Sequence, residues 1–161
     1  MKRQALLLLL LLFLLCPCQS LAAEFGKTFK TNYSTIHYSQ DKDIDDFLWH
    51  LGGQRLDIAR DATVASNRVD RIVERVEAIL DMRPEDLKFD IYLHRAPLKG
   101  NRVAFYDNAA KSVHVSIENA TDGIVAHEIA HVIINKYFVS PPSKIQEILT
   151  QYVDKYLWSD Y

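Results

Sequence analysis

Cysteine is missing from most of this chain. The 161 residues include only Cys16 and Cys18, so residues 24–161 contain none. Without thiols, this part of the chain has neither a disulfide framework nor a structural zinc site built on thiolates. Internal repeats and low-complexity stretches are also missing after residue 23, and nothing in the pattern indicates a second domain. We therefore expect residues 24–161 to form one domain.

Positive charge is scarce as well. Lys2 and Arg3 lie near the start, which leaves 17 Lys and Arg against 21 Asp and Glu in residues 24–161, a formal charge of −4. Proteins that bind nucleic acid usually carry a strongly basic face. This acidic balance therefore argues against a nucleic-acid partner.

The longest apolar run, from Ala5 to Leu15, has eleven residues, and a membrane-spanning helix needs about 20. The run follows Lys2 and Arg3 and precedes Ser20-Leu21-Ala22-Ala23, which offers small residues for cleavage. This arrangement is typical of a secretory signal peptide. We expect residues 1–23 to be removed, and residues 24–161 to be exported, periplasmic or secreted, without a stable membrane span.

The most informative pattern is the HExxH motif that begins at His127, inside the apolar run from Ile124 to Ile134. His127 and His131 are about one helical turn apart, so both imidazoles project from one face and can bind one metal ion. Glu128 then lies beside the open side of that metal, where a carboxylate can take a proton from a bound water. The alternative is a pair of ordinary buried histidines, but it leaves a buried carboxylate without a partner, which is costly.

Glu147, sixteen residues after His131, is the candidate for a third ligand. Pro141 and Pro142 cannot continue the first helix, and Ser143 can cap the next one. Residues 144–157 then show helical periodicity; the apolar positions are Ile145, Ile148, Leu149, Tyr152, Val153 and Tyr156. A short return between antiparallel helices brings Glu147 opposite the histidines, and we expect Tyr152 to pack in the core.

Residues 124–152 resemble the gluzincins, the thermolysin-like zinc metallopeptidases, and among them the short "peptidase MA-like" proteins. The matching residues are His127, Glu128, His131, Pro141, Pro142, Glu147 and Tyr152. The resemblance implies one zinc ion (Zn2+) per chain on His127, His131 and Glu147, with Glu128 as general base. It also implies a zincin-like α+β fold, in which a small mixed or antiparallel sheet lies over the HExxH helix and one edge strand borders the cleft.

One position departs from this pattern. Thermolysin-like enzymes often carry an Asp four residues after the glutamate ligand, where it orients a histidine, and this chain has Gln151 there. The amide oxygen of Gln151 can accept an imidazole N–H, and so can Asp154, two helical turns beyond Glu147. The sequence leaves the choice between the two open.

The residues before the motif predict a strand, helices, a second strand and a hairpin. The expected ranges are a polar leader at 24–32, a strand at 35–38, a helix from Asp41 that Gly52-Gly53 breaks, a long amphipathic helix from Gln54 to Met82, and strands at 88–94, 102–106 and 112–117. Because the hairpin directly precedes the motif, we expect it to supply the cleft edge. An extended peptide would then reach Val103, Phe105 and His114.

The expected function is that of a secreted or periplasmic zinc peptidase acting on a peptide or protein substrate. The alternative is a catalytically silent zinc-binding or interaction module of the same fold, which the shortness of the chain after Glu147 favours. The presence of Glu128 favours the enzyme, because a structural zinc site needs no base. The C-terminal residues leave two arrangements open. In one, the aromatic tail folds over the metal site; in the other, Tyr156, Leu157 and Trp158 finish the helix and pack against the long helix Gln54 to Met82.

Overall fold

The computed structural model describes residues 24–52, 58–157 and 159, so the predicted signal peptide lies outside the described residues. In the described part, four α-helices and five strands form a mixed α+β fold, as the sequence predicts. In chain order the elements are β1 Lys27–Lys30, β2 Ser34–Tyr38, α1 Asp41–His50, α2 Ile58–Leu80, β3 Phe89–His94, β4 Ala104–Asp107, β5 Ser112–Ser116, α3 Asp122–Tyr137 and α4 Ser143–Tyr156. None of the helices among these residues is both long and apolar enough to cross a membrane.

The strands form one mixed sheet in the order β1-β2-β3-β5-β4. The three central strands, β2, β3 and β5, are parallel, and the two outer strands pair with their neighbours in antiparallel fashion. The predicted hairpin is therefore present as β4 and β5, and β4 is an edge strand. This edge matters for function, because α3 packs beside it.

Alternation along the strands gives the sheet two different faces. On one face, Ile36, Ile91 and Val113 are fully buried and join the core under the helices. The other face carries a row of four rings in register across four strands: His37, Tyr92, His114 and Phe105. The core thus lies between one face of the sheet and the helices, and α3 forms part of it.

Two predicted boundaries need correction. Residues 27–30 form β1 and are not a polar leader; three of the four side chains are exposed, so backbone pairing with β2 defines this strand and apolar periodicity does not. The long helix ends at Leu80 instead of Met82, because Asp81 takes a left-handed backbone conformation (φ 52°) and the N–H of Met82 bonds back to the carbonyl of Glu77, a common helix ending. Residues 54–57 of the predicted helix lie outside the described part.

The HExxH helix, α3, begins where Thr121 caps it. The Thr121 hydroxyl accepts a hydrogen bond from the N–H of Ile124 at 3.2 Å, which satisfies one of the free donors at the start of the helix. Val125, Ile129 and Ile133 on α3 are fully buried. The helix is therefore fixed by its apolar face, which leaves the face with the two histidines free to meet α4.

Candidate metal centre

His127, His131 and Glu147 come together between α3 and α4. One ligand atom from each lies within 4.8 Å of the other two, and the Nε2 atom of His131 is 3.5 Å from Oε1 of Glu147. Helices α3 and α4 run antiparallel, since His127 faces Asp154 while His131 faces Glu147. The three residues could hold a metal ion.

Asp154 holds the His127 imidazole from the side. Its carboxylate oxygens lie 3.0 and 3.2 Å from Nδ1 of His127, which leaves Nε2 available for a metal. A carboxylate that accepts the second N–H of a ligand histidine fixes the tautomer and orientation of the ring and makes it a stronger donor. Of the two residues that the sequence left open for this contact, Asp154 makes it, while the Gln151 side chain is exposed.

His131 is held by a different group, which the sequence reasoning missed. Oε1 of Gln146 lies 3.4 Å from Nδ1 of His131 and accepts a second hydrogen bond at 2.7 Å from Nδ2 of Asn135. The available signal was that Asn135 follows His131 by four residues and so shares its helix face. Burial lowers the pKa of His131 and so favours the neutral imidazole, the form that binds metal.

His127, His131 and Glu147 are called the metal group below. Glu128 lines the same cavity as these three residues and is buried, with 9% of its surface exposed. The backbone N–H of Tyr106 on β4 lies near this carboxylate and favours its ionised form. Burial raises the pKa of this carboxyl above its usual range, and the nearby His127 and the Tyr106 N–H partly offset that effect. Glu128 is thus a buried carboxylate beside the three residues that could hold a metal ion.

The edge strand β4 borders the same space. The carbonyl of Val103 accepts a hydrogen bond from the N–H of Ser116 on β5 at 2.8 Å. Because backbone directions alternate along an antiparallel strand, the polar backbone groups of Ala104 and Tyr106 point to the open edge. A cavity of 370 Å³ beside His131 and one of 490 Å³ beside Thr121 and Gly123 share three lining residues: Ala104, His127 and Glu128. Together the two cavities extend along β4 on both sides of Glu128.

The three residues predicted to meet substrate occupy different places. Val103 lines the larger cavity, and Phe105 lines the smaller one. The rings of Phe105 and His114 stack at 4.6 Å on the face of the sheet that is turned away from the core. His114 is buried in that row and is hydrogen-bonded to His94 at 2.9 Å. The structure therefore does not bring the His114 side chain to the metal group.

The contacts at the end of α4 concern the two predicted arrangements of the C-terminal residues. Leu157 is buried, and its carbonyl accepts a hydrogen bond from Nε of Arg75 on α2 at 3.0 Å. This contact agrees with a helix that ends against α2. Trp158, Asp160 and Tyr161, on which the other arrangement depends, lie outside the described residues. Tyr152 was expected in the core, and that prediction was wrong, because 48% of its surface is exposed.

Comparison of the chain with protein-family models, with curated proteins and with solved structures gave no match.

Proposed function

We propose that this protein is a zinc-dependent peptidase with a zincin-like arrangement of HExxH helix, ligand helix and edge strand. The observation that carries the proposal is the position of Glu128. A buried carboxylate lies beside a His-His-Glu group and next to the edge strand β4. A site that only stabilised the fold through a metal would need the three ligands but not this carboxylate.

The ligand group fits zinc. Zinc accepts imidazole nitrogen and carboxylate oxygen at about 2.0 to 2.2 Å, which in a tetrahedron separates two ligand atoms by roughly 3.4 Å. The 3.5 Å between His131 Nε2 and Glu147 Oε1 is close to that separation. Three protein ligands also leave one of four positions for water or substrate, as in catalytic zinc sites.

Different residues of the chain serve different steps of peptide hydrolysis. When bound, zinc supplies a Lewis acid that polarises the scissile carbonyl and makes water easier to deprotonate. Glu128 accepts the proton as the water oxygen attacks the carbonyl carbon, and then gives it to the nitrogen as the C–N bond breaks. Asp154 and Gln146 keep the two histidines oriented throughout.

The substrate is a peptide in extended conformation that adds to β4. The outward backbone groups of Ala104 can pair with such a chain, and pairing of this kind places successive side chains on alternate sides. The two cavities that meet at Glu128 offer room for substrate residues on either side of the scissile bond. This arrangement explains why the edge strand and the carboxylate occur together.

Hydrolysis of a mixed peptide library tests the proposal directly. The purified protein should cleave peptides when loaded with zinc, lose the activity in a chelator and recover it when zinc is returned. Glu128→Gln should lower the activity by at least about a hundredfold, the usual range for loss of a general base. Its zinc content, measured by elemental analysis, should stay equal to that of the parent.

Glu118→Gln is the matched control, because Glu118 is an exposed glutamate outside the metal group. This variant should keep parental activity and zinc content. Zinc bound tightly by a parent that cleaves no peptide in the library would instead favour the catalytically silent module. Activity that survives both the chelator and Glu128→Gln would refute the proposed mechanism.

A further inference from the structure

Exposed large apolar side chains are concentrated toward the C-terminal end of the described residues. Among the described residues eight have substantial exposure, and six of these lie between residues 137 and 152: Tyr137, Phe138, Val139, Ile145, Ile148 and Tyr152. Val139, in the loop that leads into α4, is 99% exposed. Scattered exposed apolar residues are normal on a protein, but a set concentrated in one part of the chain is a candidate interaction surface.

On α4 the exposed apolar residues form one face. At about 100° per residue, Ile145, Ile148 and Tyr152 fall within roughly 60° of one another around the helix. The ring of Tyr152 packs at 4.5 Å against that of Tyr156, which extends the same face by one turn. Thr150 and Val153 are fully buried and point toward the core instead. We call Ile145, Ile148 and Tyr152, together with Tyr137 at the end of α3 and the loop residues Phe138 and Val139, the apolar face.

The charges around the apolar face are positive. Residues 136–156 contain five charged side chains: Lys136, Lys144, Glu147, Asp154 and Lys155. The two acids belong to the metal group and the His127 contact, whereas Lys144 and Lys155 are exposed and lie beside Ile148, within about 40° of it around the helix. The two lysines beside Ile148 contrast with the chain as a whole, which has a formal net charge of −2.

We propose that the apolar face binds the surface of a membrane that contains anionic lipids. Aliphatic and tyrosine side chains enter the boundary between headgroups and acyl chains, while flanking lysines meet the lipid phosphates. The fully exposed Val139 and the two aromatic residues before it would insert with the helix face. The binding is peripheral and reversible, since one helix face and a loop bury little apolar surface in comparison with a spanning helix.

A second copy of this chain fits the apolar face less well. Lys144 and Lys155 lie on the same flank of α4, about 20° apart around the helix. In a two-fold antiparallel pairing of two α4 helices, Lys144 of one copy would come next to Lys155 of the other. Like charges in such positions are destabilising. An anionic membrane surface would instead attract both lysines.

The metal group would remain accessible in the bound state. Glu147 lies about 130° around α4 from the middle of the apolar face, so the cleft along β4 is turned away from the side that meets lipid. The protein could thus hold its ligand group toward water while it is attached. This property does not depend on the proposed peptidase function.

Co-sedimentation of the full chain with vesicles tests the proposal. One set of vesicles is phosphatidylcholine alone, and the other is an equimolar mixture of phosphatidylcholine and phosphatidylglycerol. The parent should bind the anionic vesicles more strongly, and added salt should weaken that binding. Ile148→Asp should lower the partition coefficient by about tenfold or more, because it replaces an inserted aliphatic side chain with a charge. The pair Lys144→Gln and Lys155→Gln should lower it by roughly thirtyfold on anionic vesicles.

Val64→Asp is the matched control, because Val64 on α2 is 51% exposed and Ile148 is 52% exposed. Val64→Asp and Ile148→Asp both keep the apolar run of residues 5–15. A difference in vesicle binding between these two variants therefore cannot come from that run. The proposal is overturned if the parent binds neither vesicle, if it does not distinguish them, or if Ile148→Asp binds as the parent does. It is also overturned if sedimentation without vesicles shows a dimer that Ile148→Asp dissociates.

Discussion

The two histidines of the candidate metal centre contact hydrogen-bond acceptors of different charge. His127 meets the carboxylate of Asp154, whereas His131 meets the amide oxygen of Gln146 at the longer distance of 3.4 Å. A charged acceptor holds an N–H more strongly than a neutral one. The orientation of His127 therefore depends more on its partner than that of His131 does.

Asp154→Ala should weaken zinc binding by about ten- to a hundredfold, the usual effect of losing the partner of a ligand histidine. Gln151→Ala, on the same helix but exposed, should change the affinity by less than about twofold. Competition with a chromophoric chelator measures both dissociation constants. Equal losses in the two variants, or a loss only in Gln151→Ala, would show that His127 is oriented in another way.

Glu147→Ala should reduce zinc affinity more than any substitution of a hydrogen-bonding partner, because it removes a ligand. Glu128→Gln should leave the affinity within about threefold of the parent, since Glu128 is not among the three ligands. The same competition assay compares the two variants. A Glu147→Ala protein that binds zinc as tightly as the parent would rule out Glu147 as the third ligand.

The buried His114 makes the stability depend on pH. The pKa of His114 is lowered to about 4 in the folded protein, chiefly by burial and then by the neighbouring His94. Asp107 raises this pKa and Arg102 lowers it, each by a smaller amount. An unfolded histidine titrates near about 6.5. Between these two values the unfolded chain takes up a proton that the folded chain does not, so the free energy of unfolding falls as the pH falls.

The loss from His114 should be absent above about pH 6.5 and complete below about pH 4, with a size of up to about 3 kcal/mol. His114→Phe keeps a ring for stacking against Tyr92 and Phe105 but cannot take up the proton. Urea unfolding at a series of pH values, with chelator present, should show a smaller acid loss in this variant than in the parent. His50→Gln on α1 is the control and should keep the parental slope; equal slopes in all three proteins would contradict the prediction.

At the scale of elements, the buried carboxylate of Asp43 helps to join α1 to the rest of the protein. Oδ2 of Asp43 accepts the N–H of Gln40 at 2.8 Å and that of Ser39 at 3.2 Å, which caps the helix. Oδ1 accepts two hydrogen bonds from Arg95, which directly follows β3. The same side chain thus starts the helix and joins it to the sheet.

Asp43→Ala should lower the free energy of unfolding by about 2 to 4 kcal/mol, because it removes a helix cap and a charge-assisted pair at a buried position. Asp46→Ala removes the other, more exposed acid that Arg95 contacts, and should cost less than about 1 kcal/mol. Chemical denaturation of both variants measures the difference. Similar losses in the two would mean that the cap and the burial of Asp43 contribute little.

At the scale of the whole molecule, the metal group joins two helices that carry different parts of the site. His127 and His131 belong to α3, which is fixed by the core, and Glu147 belongs to α4, which also presents the apolar face. A ligand that bridges two elements of the folded state but not of the unfolded chain stabilises the fold by mass action.

Free zinc at about a hundred times its dissociation constant should stabilise the parent by about 2.7 kcal/mol, which raises the Tm by roughly 10 °C for a domain of this size. Removal with a chelator should reverse the shift. Glu147→Ala should show a much smaller shift at the same zinc concentration, whereas Glu118→Gln should match the parent. Differential scanning calorimetry with and without zinc measures this, and an unchanged Tm in the parent would exclude a metal that bridges the helices.

Much of the candidate centre follows from local spacing alone. His127 and His131 share a face because any helix places residues four apart on one side, and the two prolines after Val139 turn the chain before Glu147. The alternation of residues 112–116 likewise marks a strand, which the structure has as β5. Such features depend on backbone geometry over a few residues, so they can be predicted without knowing what lies nearby.

Other features depend on which surfaces meet in the folded chain. The contact of His127 with Asp154 and that of His131 with Gln146 are set by the antiparallel packing of α3 and α4, and periodicity could not select them. The strand β1 exists because its backbone pairs with β2, which side-chain pattern does not show. Tyr152 lies at an apolar position that periodicity assigns to a buried face. Periodicity identifies a face, but only the tertiary structure decides whether another element covers it, and on α4 the face of Tyr152 is left exposed.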